Sequence, residues 1–326
     1  MALLLMDGFE HTGSYGARKW VASSSVSTTQ AHTGSYSSTS AFAVLPNISG
    51  STCIVGAWVY GNGFRIRVMD GYSDLNSTTQ CSVCVQADGR VTFNNGNAGT
   101  ILGSSVAGLA TANVWHFVEF KVVIHASAGT VTVNFNGNAI ITETGKNTAY
   151  VGGTEWTGII LQAGSYYDDV WICDGSGSYN NDFLGPCRVE TLLPSTGNGS
   201  NTDFTCSTST DHGEMVNDAT APNDNTDYVY SSTLNHVDTW NYPSMTYSGT
   251  IKAVQLCLGV SKDETGARAI AAVARPASTN RVHATNRYLG VGYEYHRVVY
   301  EVNPEDSAAW EVADVNGAEF GVKVTV

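Results

Sequence analysis

The sequence predicts an all-β chain: two β-sandwich domains joined by a docked connector. Three observations predict it. Apolar and polar residues alternate with a period of two in one segment after another, turn dipeptides stand between the segments, and no stretch of helical period separates them. Composition agrees. Only 14% of the 326 residues are charged, so Gly, Ser, Thr and Asn carry the surface polarity, and these residues favour turns and short connections over helices.

The opening run Ala2 to Met6 is apolar, has no basic flank and is stopped by Asp7, which reads as a first strand; it is too short for a signal-peptide core, so export by that route is not expected. The pentapeptide His11-Thr12-Gly13-Ser14-Tyr15 recurs as His32-Thr33-Gly34-Ser35-Tyr36, two similar turns leading into strands. Asp88-Gly89 marks a hairpin between strands at 81–86 and 90–93. Along 115–125, Val118, Phe120, Val122 and Ile124 share one face against Glu119 and Lys121. Along 130–136, Val131, Val133 and Phe135 do the same, and Asn136-Gly137 supplies two left-handed residues for a tight hairpin into 139–142. Strands at 159–163 and 167–174 complete a first domain, residues 1–175. Residues 176–201 change to loop chemistry around an apolar thread of Phe183, Leu184, Val189, Leu192 and Leu193, the connector. Residues 202–326 form a second β domain: Val254, Leu256, Leu258 and Val260 alternate with polar or small residues, as do 296–302 and 320–326, with one helical turn expected near 310–316.

The formal charge of −13 repels phosphate backbones and anionic lipid, which argues against nucleic-acid and membrane partners. No apolar run reaches the ~18 residues of a membrane span. The seven cysteines are an odd set, and Cys81 and Cys84, three apart on a strand, point to opposite faces, so free thiols are expected and no metal site. The eight histidines show no ligand spacing. There is no GxSxG elbow, dinucleotide fingerprint or P-loop, so neither a nucleotide nor any other cofactor is expected. Asp168 and Asp169, as strand neighbours, should face opposite ways and so cannot form the carboxylate pair of a glycosidase. No catalytic residue is assigned. The loop aromatics Trp156, Tyr166 and Tyr179 are the candidate glycan- or partner-contacting residues, since exposed rings serve both purposes.

The strings Trp115-His116-Phe117-Val118-Glu119-Phe120-Lys121-Val122, Gly129-Thr130-Val131-Thr132-Val133 and Tyr167-Asp168-Asp169-Val170-Trp171-Ile172, with Asp7-Gly8-Phe9-Glu10 at the start, resemble the strands of a concanavalin A-like (laminin G-like) jelly roll. Asn181-Asp182-Phe183-Leu184-Gly185, Arg188-Val189-Glu190-Thr191-Leu192, Tyr295-His296-Arg297 and Glu319-Phe320-Gly321-Val322 resemble the connector and second β domain of tailed-bacteriophage structural proteins that carry this jelly roll. The resemblance implies a non-enzymatic virion component, assembled in the host cytoplasm, whose partners are other virion proteins and copies of itself, as a decoration, collar, fibre or other appendage subunit. A carbohydrate-binding adsorption protein that recognises host surface glycan is the alternative, and a glycoside-active enzyme a weaker third. The acidic E-x-D-x-x-E strand of glucanase relatives does not occur in the sequence.

Overall fold

The computed structural model describes residues 2–10, 20, 22–45, 48, 50–61, 63–70, 78–150, 153–218 and 223–326. The chain divides into two compact units, Met1–Val189 and Glu190–Val326. Among the described residues no helix is long and apolar enough to cross a membrane.

Described strands of the first unit are β1 (Leu3–Asp7), β2 (Ala22–Ser27), β3 (Ser37–Val44), β4 (Thr52–Tyr60), β5 (Arg65–Asp70), β6 (Thr78–Val85), β7 (Val91–Asn95), β8 (Ile101–Ser104), β9 (Trp115–Val123), β10 (Gly129–Phe135), β11 (Asn138–Lys146), β12 (Gly158–Leu161) and β13 (Tyr166–Cys173). They pair antiparallel along the path β11-β10-β9-β4-β13-β3-β12-β5-β6-β7-β8, with β1 added to β13 and β2 to β3. One pairing, Tyr167 opposite Ser38, links β13 to β3 and so joins two sheets. At the far ends of the path, Gly103 of β8 lies so close to Ile141 of β11 that a side chain there would overlap it. The path is therefore rolled into two layers. Neighbours drawn from distant parts of the chain, such as β4 with β9 and β13, give the jelly-roll connectivity.

The alternation read from the sequence fills the space between the layers. Val118, Phe120 and Val122 of β9 and Val131, Val133 and Phe135 of β10 meet Ile66, Val68, Val83 and Phe93 from the other sheet in one apolar cluster. Asn136 (φ 50°) and Gly137 (φ 81°) make the expected two-residue turn. The turn at Asp88-Gly89 differs. Here Gly89 (φ 76°) is left-handed and Asp88 is not, because the Asp88 carboxylate instead accepts the Arg90 amide and the loop closes between Gln86 and Arg90. On the outer face of β4, Gly56 stands opposite Trp171 of β13, and the indole covers the bare backbone. Of the repeated pentapeptides, residues 11–15 lie outside the described residues, and Gly34 of the second copy is left-handed (φ 63°).

The second unit holds β14 (Thr205–Cys206), β15 (Val229–Tyr230), β16 (Val237–Trp240), β17 (Val254–Val260), β18 (Ala269–Arg275), β19 (Arg281–Val282), β20 (Arg287–Tyr288), β21 (Glu294–Tyr300) and β22 (Glu319–Val324), with the helical turn α1 at Val312–Gly317. A sheet of β16-β22-β18 flanked by β19 and β20 faces the pair β17-β21. Trp240, Ile270, Ala272 and Phe320 from the first layer pack with Leu256, Leu258, Val298 and Tyr300 from the second, so this unit too is a β-sandwich.

None of the seven cysteines is in a disulfide. Cys81 lies in the apolar core while Cys84, on the opposite face, contacts Thr92 and Asn94. In the native protein, alkylation should mark exposed Cys257 first. The buried thiols Cys53, Cys81, Cys84 and Cys173 should react only in denaturant, so rapid native labelling of those four, read by mass spectrometry, would contradict this core.

Candidate functional site

The densest polar constellation of the first unit sits where β13 loses its register. The pairing of β13 with β4 slips between Asp168 and Trp171, and Asp169 takes a left-handed φ of 48°. A bulge of this kind turns one side chain out of the strand's alternation. Both carboxylates consequently engage the same segment, which corrects the expectation that they face opposite ways. The amides of His32 and Thr33 donate to Asp168 Oδ2 (2.8 and 3.1 Å), and the Asp169 amide donates to Asp168 Oδ1 (2.8 Å). Thr33 Oγ1 donates to Asp169 Oδ1 (3.0 Å), as does the Val189 amide (2.7 Å), and His32 Nδ1 lies 2.9 Å from Asp169 Oδ2. Both acids are fully buried. Burial, and then the charge of Asp169 beside it, push the Asp168 carboxyl up to about 8 against the pull of the three amides.

Around this clasp lies a run of half-buried aromatic rings. Ala57 and Val59 of β4 enter the core, so Trp58 and Tyr60 stand on the outer face, in register with Phe117 and Trp115 of β9. His32 stacks on Trp58 (ring centroids 3.7 Å apart, 15° between planes) and meets Trp115 edge-on at 5.6 Å. Tyr60 touches Trp115 at 5.4 Å and Tyr166 at 5.9 Å. Residues 182–189 bond to the same face. Lys121 Nζ pairs with Asp182 (3.2 Å), the Gly185 amide donates to Glu119 Oε2 (3.1 Å), and Trp58 Nε1 donates to the Cys187 carbonyl (3.3 Å). Burial raises the Glu119 carboxyl above its usual range. The arrangement can anchor segments and offer ring faces. Its carboxylates are already committed to protein donors.

The three aromatics expected from the sequence have different fates. Trp156 is 2% exposed, with its indole N–H bonded to the Thr52 carbonyl, and it packs in the apolar core rather than presenting a ring to a ligand. A tryptophan in an irregular segment looks like a surface residue in sequence, and only the packing of that segment on the sheet shows otherwise. Tyr166 belongs to the aromatic run. Tyr179 is 48% exposed, and no ring contact joins any two of the three. Sequence reasoning missed His32, Trp58, Tyr60 and Trp115. The signal for two of them was present, since Trp58 and Tyr60 alternate with Ala57 and Val59 on a strand.

Among the described residues no group of three or more His, Cys, Asp or Glu side chains could hold a metal ion. No protein-family model matches the chain, and no curated protein does. Solved structures give likenesses at low scores. Galectin LEC-6 of Caenorhabditis elegans is 12% identical, covering 40% of this chain and 88% of its own, with a TM-score of 0.28. The carbohydrate recognition domain of Emp46p is 7% identical, covering 53% and 93%, with a TM-score of 0.33. Alginate lyase Aly36B is 12% identical, covering 41% and 72%, with a TM-score of 0.27. Ligands and chemistry do not transfer at this level of likeness.

Proposed function

We propose that this chain is a non-enzymatic structural protein of a tailed-phage virion, assembled in the host cytoplasm and acting through contacts with copies of itself and other virion proteins. One observation carries the non-enzymatic reading. Asp168 and Asp169, the paired acids best placed for chemistry, spend their oxygens on the amides of His32, Thr33, Asp169 and Val189 and on the Thr33 hydroxyl. A general acid or nucleophile needs an oxygen free for substrate, whereas these tie a loop and the chain after β13 to the sheet. Support for the virion comes from the resemblance of residues 181–185, 188–192, 295–297 and 319–322 to phage structural proteins. Purified particles should contain the protein in many copies, and the recombinant chain should release no reducing ends from host polysaccharide. Release that disappears on replacing one Asp or Glu would overturn the reading.

The aromatic run favours a second reading, the glycan-recognising adsorption protein, because ring faces pack against the C–H faces of sugars while His32 adds a polar edge. On that reading Trp115→Ala should weaken binding to host glycan about tenfold, roughly 1.4 kcal/mol, with the melting temperature little changed. Unaltered binding by this variant would remove the second reading.

A further inference from the structure

The second unit has a polar seam of its own, where the two layers of its sandwich meet at one end. Register decides which side chains enter it. On the sheet side, Arg287 of β20 stands opposite Ile270 of β18, and the His283 amide donates to the Ala272 carbonyl. Ile270 and Ala272 face the core, so Arg287 and His283 beside them point the same way. In the other layer, Val298 and Tyr300 of β21 enter the core, and alternation sends His296 to the same side.

Two contacts cross from layer to layer. Arg287 Nη2 donates to the Arg297 carbonyl of β21 (3.0 Å), and the His283 ring meets the Tyr300 ring edge-on with centroids 5.5 Å apart. Arg287 Nε, His296 Nε2 and the Tyr300 hydroxyl are buried there without a hydrogen-bond partner. His283 Nδ1 accepts the Thr285 amide (3.2 Å), so this nitrogen carries no proton.

Counter-charge is scarce. From β17, β18 and β22 the side chains that face the seam are apolar. Arg281, opposite core-facing Ala274, is held by Glu305 (2.8 Å). Among the described residues the only carboxylate within 4.0 Å of either imidazole is Glu294, 3.4 Å from His296 Nε2 and 45% exposed, where water screens it. Burial holds both imidazoles below the usual histidine range. The pull of Glu294 on His296 does not reverse this, and the positive Arg287 adds to it at both rings.

We propose that this seam is an acid-operated latch, closed while His283 and His296 are neutral and opened when both take up protons beside Arg287. Each proton comes from water. The one on His283 enters at Nδ1, where the Thr285 amide already points, so that hydrogen bond is lost. Three positive charges then share a buried seam with one exposed carboxylate, and parting the layers at this end lets water reach them. The sign follows from the neutral rings. A histidine that titrates lower in the folded than in the unfolded chain adds stability that is complete above about pH 6.5 and is lost as pH falls through the folded value. The latch lies in the second unit and rests on neither functional reading.

The test is hydrogen exchange of the full chain at pH 7.5 and pH 5.0, corrected for the intrinsic pH dependence of exchange and read peptide by peptide. Protection of residues 287–300 should fall at least about tenfold at pH 5.0, while residues 115–135 of the first unit keep theirs. The readout must be local. Asp238, on β16 at the other edge of the sheet, is pushed up to about 6 by burial and takes a proton in the same range with the opposite effect. The double variant His283→Gln, His296→Gln cannot take up the charge, and its change should stay below about twofold. Equal protection of the wild type at both pH values, or an undiminished loss in the double variant, would overturn the proposal. Should that variant misfold, the ring signals of the wild-type histidines decide. Titration of His283 and His296 below about 6.5, in step with the loss of protection, supports the latch, and titration at or above that value overturns it.

Discussion

Replacing Asp168 with alanine should cost the first unit about 4 kcal/mol and lower its melting temperature by on the order of 10 °C. Three amides would lose their acceptor, that of Asp169 in a fully buried place and those of His32 and Thr33 in a part-buried one, at about 1–3 kcal/mol each. A loss below 1 kcal/mol in thermal or urea unfolding would show that the clasp is dispensable. The same residue gives the unit a pH dependence of defined sign. Its carboxyl titrates higher in the folded state, up to about 8, than in the unfolded chain, so the folded state binds the extra proton. The associated stability is fully present below about pH 4 and is lost as pH rises through 8, by up to about 1.4 kcal/mol per pH unit. Unfolding followed from pH 5.5 to 8.5 should show this decline, and Asp168→Asn, which cannot titrate, should flatten it.

Gly56→Ala should be almost as damaging, at about 3 kcal/mol, because a methyl group there would occupy the space of the Trp171 indole. Trp171 is fully buried and cannot swing away without opening the β4–β13 contact. Gly56→Val should leave the unit unfolded. Combining Gly56→Ala with Trp171→Leu should return part of the lost stability, since the smaller side chain makes room. Strictly additive losses in that double-mutant cycle would mean that the two positions do not compete for the same volume.

These two sites mark where the sequence is readable and where it is not. The strands β9 and β10 and the Asn136-Gly137 turn were legible because one buried face imposes a strict period of two, and the tight turn needs left-handed residues that few side chains tolerate. Asp168 and Asp169 were misread because the same rule was applied across a bulge, and nothing in the residues near Asp169 announces its left-handed backbone. Trp156 was misread for a related reason. Its segment has no regular structure, yet packs inward, and burial of an irregular segment depends on partners far away in the chain, here Thr52. The arginines of β5 were visible as charges. That Ser82 and Ile160 stand opposite Arg67, and Cys84 opposite Arg65, is a property of neighbouring strands, which a single sequence does not display.

The pairing of β13 also governs how the first unit can come into being on the ribosome. This strand, residues 166–173, is the partner of β1, of β4 and, through Tyr167, of β3. Leu3 waits for Cys173, a separation of nearly the whole unit. Nascent chains shorter than about residue 173 therefore lack the strand that joins the layers, and their apolar faces stay uncovered while synthesis proceeds. Contacts of such long sequence separation place folding in the slow, millisecond-to-second range of β-rich topologies. The interval before β13 emerges is when the growing polypeptide is most exposed to self-association and most dependent on chaperones.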